Sequence, residues 1–158
     1  MKNSLRTGIA FGLTSAAITT LGLMVGLHSG THSRVVVLGG ILNIAIADAF
    51  SDALGIHVSE EAENAHTVRE IWTATVATFL AKFLFALTFV VPILLLPLST
   101  AILVSLVWGM TILAILSYAM AKAQGKLPWK VVSEHILIAL VVIGITHWVG
   151  DWVSTLGG

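Results

Sequence analysis

Asp48, Ser51, Asp52, Gly55 and Ser59 recur at intervals of three and four residues. On a helix that spacing puts them on one face. Two carboxylates one turn apart are a natural site for a divalent cation. They are equally natural proton carriers, because a neighbouring negative charge favours proton uptake. Thr75, Thr78 and Lys82 make a second polar stripe, and both stripes stand in otherwise apolar sequence. A charged side chain at the centre of a bilayer costs about 2.5–3.5 kcal/mol on insertion scales, so those that are retained pair with one another or line a pathway. At 1.5 Å per residue from the ends of their apolar runs, Lys82 lies about 18 Å deep and Asp48 about 15 Å, so the two are within reach of an ion pair. Two readings of Lys82 follow. It is either half of a buried pair that fixes helix packing, or an internal cation that competes with metal or proton for the carboxylates. Either Asp48 or Asp52 is open as its partner.

A further group lies in the polar link from Ser59 to Glu70. Glu60, Glu61, Glu63, His66 and Glu70 supply carboxylate oxygens and one imidazole, ligands suited to Fe²⁺ or Mn²⁺. They are candidates for gathering cations, with a solvated, helix-capping link as the plain alternative. The remaining histidines say less. His28 and His32 fall in a Gly/Ser-rich turn and read as a solvated loop, His147 and Asp151 as an interfacial hydrogen bond, and His57 lies roughly opposite the Asp48 face. Cysteine is absent, which removes disulfides, thiolate ligands and cysteine nucleophiles. With no His-Glu-x-x-His and no Gly-x-Ser-x-Gly either, an enzyme is not expected. The zero net charge gives no reason to expect nucleic acid as a partner.

The elements that must position these residues are helices in lipid. Of 158 residues, 57% are hydrophobic and 10% charged, against roughly a quarter charged in an ordinary soluble domain. The apolar residues fall in five long runs, about Leu5–Leu27, Val35–Val58, Ile71–Leu96, Leu98–Met120 and Val131–Val153. Each is long enough to cross about 30 Å of hydrocarbon. The expectation is an all-α, polytopic membrane protein whose whole length, 1–158, is one transmembrane domain of five helices. The first run is too long for a signal-peptide core and is read as retained. Lys2, Arg6, Arg69, Lys122, Lys126 and Lys130 fall on one side and only Arg34 on the other, which puts the N-terminus in the cytoplasm. Trp72, Trp129, Trp148 and Trp152 fall near span ends as interface anchors, while Trp108 is assigned to packing. Gly8 and Gly12, then Gly22 and Gly26, are spaced by one turn on the first span, which marks it as a helix-packing or dimer surface. With no targeting extension, a prokaryotic plasma membrane is the simplest location.

Gly12-Leu13-Thr14, the outer turn ending Ser33-Arg34-Val35-Val36, Gly40-Ile41 through Ala45-Ile46-Ala47-Asp48, and Leu54-Gly55-x-x-x-Ser59-Glu60 together resemble the vacuolar iron transporter family. The likeness is clearest over residues 7–62 and only general beyond. It implies a homodimer that exchanges Fe²⁺ or Mn²⁺ for protons, with the pathway lined by the first two spans at the dimer interface and no cofactor beyond the transported metal. Under that resemblance Asp48, Ser51, Asp52, Lys82, Asn43 and Thr14 line the metal or proton path. This sequence departs from the family pattern at three places. Phe11 stands where an acidic residue usually precedes the Gly-Leu of the first span, Asn43 replaces an acidic residue in the second, and Ser51 falls near a usual methionine. Only the short Glu60–Glu70 link occupies the position of the family's glutamate-rich insertion. The alternative is a non-transporting membrane subunit in which the Asp/Lys pair is structural.

Overall fold

The structure, a computed structural model, describes residues 2–156, with only the backbone of Lys2. All regular structure among the described residues is helical: α1 (Lys2–Thr31), α2 (Arg34–Ala62), α3 (Val68–Thr88), α4 (Val90–Leu95), α5 (Leu98–Ala123) and α6 (Pro128–Ser154). Five stretches are long and apolar enough to cross a membrane, α3 and α4 together forming the third. These fit a multi-pass membrane protein. Large apolar side chains such as Phe50, Leu84, Leu103, Leu137 and Ile145 are more than half exposed along the helices, apart from Ile138 and others that are less so. A face of that kind needs lipid or protein against it.

The helix ends follow local chemistry. Ser33 caps α2 by accepting from the Val36 N–H. Thr67 and Glu70 form a reciprocal capping box at the start of α3, which satisfies two otherwise orphaned donors. At the end of α5, Lys126 N–H donates to Ala121 O at 2.9 Å and Gly125 N–H to Lys122 O at 3.3 Å. Gly125 has φ +67°, the left-handed closure that glycine adopts without steric cost. Pro128 then opens α6, where its missing N–H is no loss.

Two expected boundaries are corrected. The third span is not one continuous helix to Leu96 but breaks at Phe89 between α3 and α4. Pro92 has no N–H to offer the Thr88 carbonyl four residues back, so the ladder is interrupted there. The second span continues past Val58 to Ala62, which puts Glu60 and Glu61 on the last turn of α2 and shortens the link. Trp108 packs against Phe85, is 43% exposed, and its indole N–H donates to Thr88 Oγ1 at 3.0 Å.

α1 is the central helix, in contact with α2, α3, α5 and α6. Its glycines permit this. A Cβ at Gly12 would lie 2.6 Å from Thr78 O and 3.0 Å from Ala81 Cβ of α3, and one at Gly22 would lie 2.9 Å from Val142 of α6. Gly8 likewise faces Ala74 and Ala77, and Gly26 faces Thr146. The stripe is therefore occupied by packing inside the chain. Around it lies a core that includes Leu21, Met24, Val37, Ile41, Phe85, Phe89 and Leu113. On α6, a Cβ at Gly150 would strike Gly26 O and sit 3.0 Å from Gly30 N. Gly150→Val is expected to lower stability by about 1–3 kcal/mol through overpacking. Gly144→Ala, where a Cβ meets nothing within 4 Å, is expected to be neutral. Thermal unfolding in detergent distinguishes the two.

Candidate functional site

α2 is buried along Val37, Ile41, Ala45, Ala49 and Ala53, the stripe turned to its neighbours. Asp48 and Asp52 stand three residues after Ala45 and Ala49, so they flank that stripe. Lys82 rises from the buried face of α3 and is 1% exposed. Its Nζ donates to Asp52 Oδ2 at 2.5 Å and to Ser15 Oγ of α1 at 2.8 Å. It also forms an ion pair with Asp48 Oδ2. That oxygen is buried and makes no aligned hydrogen bond. Lys82 therefore engages both carboxylates, by different means: Asp52 through a directed hydrogen bond, Asp48 through charge alone. One ammonium facing two carboxylates leaves an excess of negative charge when all three groups are ionised.

The third partner comes from α1, and it is Ser15, not Thr14. Thr14 Oγ1 is buried without a hydrogen-bond partner. The rotational phase of α1 explains the choice. Gly8, Gly12, Ser15 and Thr19 follow one another at four, three and four residues, so Ser15 continues the glycine face turned to α3, and Thr14 is rotated about 100° from it. The spacing of the glycines was the signal in the sequence that pointed to Ser15. Thr19 Oγ1 donates to Ser15 O at 2.9 Å, which holds the hydroxyl-bearing turn in place. Thr78, one turn before Lys82, donates to Ala74 O and stays in its own helix.

Asp48 opens onto a groove of about 530 Å³ between α1 and α2, lined by Thr19, Leu23, Gly40, Asn43, Asp48 and Ser51 among others. Asn43 Nδ2 donates to Gly39 O at 2.9 Å, so its amide is held on α2 at the groove. Asp52 is not among the lining residues. The cluster thus has an inner carboxylate, Asp52, and an outer one, Asp48, whose side chains are 18% and 29% exposed.

The acidic end of α2 gathers only in part. His66 Nδ1 lies 3.1 Å from Glu60 Oε2 and 3.9 Å from Glu63 Oε2. Glu70 is engaged in the capping box with Thr67, and Glu61 sits on the exposed side of the last α2 turn. Among the described residues no three His, Asp or Glu side chains are placed to share one metal ion. His57 belongs elsewhere: Thr75 Oγ1 already donates to Ile71 O, so His57 Nδ1–H donates to Thr75 at 3.0 Å, and the ring packs edge-on to Trp72. At the other end, the Ser29 hydroxyl lies within hydrogen-bond reach of both Asp151 Oδ1 and His147 O, with one hydrogen to share between them, closing α1 onto α6. The rings of His28 and His32 meet at a tilt of 56°, 5.3 Å between centroids. Comparison of the chain with protein-family models, with curated proteins and with solved structures finds no match.

Proposed function

We propose that the chain is a membrane transporter of divalent transition-metal ions, iron or manganese, that exchanges them for protons. The observation that carries this reading is the Lys82–Asp48–Asp52–Ser15 cluster, contributed by three helices and opening through Asp48 into the α1–α2 groove. A purely structural pair needs neither a second carboxylate nor a route to it. Buried ion pairs are often no more stabilising than apolar residues of the same volume, so such a charge cluster in an apolar chain asks for another reason. In this reading Asp48 and Asp52 accept metal or proton, Lys82 holds them as an internal cation when neither is bound, and Ser51 and Asn43 add oxygen ligands along the groove. Motion of helices about the cluster supplies alternating access.

The reading places the N-terminus, the α2–α3 link and the α5–α6 link in the cytoplasm, on the side of Arg6, Arg69, Lys122, Lys126 and Lys130, in a prokaryotic plasma membrane. Glu60, Glu63 and His66 then gather cations at that side. It also makes the protein a homodimer. Asn43, Ala47 and Ser51 of α2 are exposed at the groove, and a second copy laid on this face would enclose it. That would supply the further ligands a metal needs, which one chain does not bring together. The resemblance over residues 7–62 to the vacuolar iron transporter family supports the same assignment.

One observation favours a second reading, a non-transporting membrane subunit. Lys82 is satisfied by Asp52 and Ser15 within the chain, as a packing device would be. Liposomes carrying the protein and an internal pH dye separate the two when Fe²⁺, Mn²⁺, Mg²⁺ or Ca²⁺ is added in turn. Proton flux with Fe²⁺ or Mn²⁺ is expected, and no flux with any cation would sink the antiport reading.

A further inference from the structure

α1 and α5 are separated at the N-terminal end of the bundle by a cleft of about 580 Å³. On α1 its lining residues Asn3, Arg6, Thr7 and Ala10 recur at three, one and three residues, and on α5 Leu116, Ala119, Met120 and Ala123 do the same. Each set is one helix face, so two stripes oppose each other across the opening. Polarity along the cleft is graded. Asn3, Arg6, Thr7 and Gln124 stand at the helix ends, and Ile9, Ala10, Leu116 and Ala119 lie deeper. The distance from Gln124 to the level of Leu116 is about 12 Å at 1.5 Å per residue.

Arg6 is exposed, and among the described residues no carboxylate pairs with it or lines the cleft. Lys122 and Lys126 stand at the same end of the bundle. The combination is a guanidinium with donor amides over an apolar slot, at the depth where a bilayer keeps its phosphates. We infer that this cleft binds an anionic phospholipid, the phosphate on Arg6 and the upper part of one acyl chain between α1 and α5. The planar guanidinium fork suits two phosphate oxygens, while Asn3 and Gln124 offer further N–H donors. The basic end supplies the preference for an anionic headgroup. The inference needs only that the helices cross a bilayer: a chain whose Asp48 moves no metal would hold the same lipid.

The test uses the purified protein in detergent, incubated with phosphatidylglycerol or phosphatidylcholine, with bound lipid counted by native mass spectrometry. Wild type is expected to retain phosphatidylglycerol through washing that strips phosphatidylcholine. Arg6→Gln is expected to weaken that retention about fivefold, the contribution of one cation near the surface. Ala119→Phe keeps every charge but fills the slot, and is expected to weaken it as well. Both positions are exposed, and melting temperatures equal to wild type identify folded variants. Equal retention of the two lipids, or of phosphatidylglycerol by wild type and Arg6→Gln, overturns the inference. So does undiminished retention by Ala119→Phe, which would leave a diffuse charge effect. A disulfide formed between two copies through Ala119→Cys would overturn it too, by assigning the cleft to a second chain.

Discussion

Lys82→Met is expected to be the most destabilising single substitution in the chain, lowering the apparent melting temperature in detergent by about 10 °C. The side chain is 1% exposed and holds two carboxylates and a hydroxyl from two other helices. Removing one partner from a buried ion pair costs about 3–5 kcal/mol, because the charge left behind has neither water nor counter-ion; in a domain of this size each kcal/mol shifts melting by about 2–4 °C. Here two charges are left, the Asp48 and Asp52 carboxylates that the ammonium held. The loss is therefore a loss of compensation, not of attraction. That distinction has its own consequence: Lys82→Met combined with Asp48→Asn and Asp52→Asn is expected to melt well above Lys82→Met alone. Thermal unfolding of the three proteins, wild type, single and triple variant, in one detergent checks both statements. A triple variant no more stable than the single one would show that Lys82 acts through packing of its stem.

Asp48→Asn is expected to abolish metal-driven proton flux at a smaller cost in stability than Asp52→Asn, because Lys82 keeps its hydrogen bonds to Asp52 and Ser15. The two carboxylates are not equivalent. Asp52 accepts a hydrogen bond from Lys82 and stands away from the groove, whereas Asp48 has no aligned hydrogen bond and lines the groove. With Asp48 neutral, Lys82 keeps Asp52 and Ser15. Asp52→Asn removes the directed contact and is expected to be the less stable of the two variants. The order of the melting temperatures, with Asp48→Asn above Asp52→Asn, checks the asymmetry independently of transport.

Much of this arrangement was legible in the residues. In hydrocarbon every backbone group must be satisfied within its own segment, so five long apolar runs leave helices as the natural solution. The carboxylates at 48 and 52 announce a shared face by their spacing alone, and counting rise per residue puts Lys82 within about 3 Å of the depth of Asp48. Rotation was less accessible. Depth does not say which way a helix is turned, so it leaves the partner of Lys82 open between Asp48 and Asp52 and does not single out Ser15. The glycines of α1 carried the missing phase, but their direction is defined only by the neighbours they meet, α3 at Gly8 and Gly12 and α6 at Gly22 and Gly26. The break at Phe89 lay hidden for a different reason. Pro92 marks the carbonyl it fails to satisfy, four residues upstream, so the helix gives way before the proline and not at it.

The cleft between α1 and α5 was not legible at all. In the sequence Arg6 reads only as one of several basic residues expected on one side of the membrane. Only the approach of Leu116, Ala119 and Met120 beneath it turns a charge into a place where an amphipathic ligand fits.

Ion movement by the cluster of α1, α2 and α3, beyond holding helices together, is what the proposed function requires. It is tested most directly by the internal pH of proteoliposomes after external Fe²⁺ or Mn²⁺ is added, with wild type and Asp48→Asn reconstituted at equal amounts and shown to melt at similar temperatures. A metal-dependent pH change in wild type that falls to the level of protein-free vesicles in Asp48→Asn is the predicted result. An equal pH change with both proteins, or none with wild type, would contradict it.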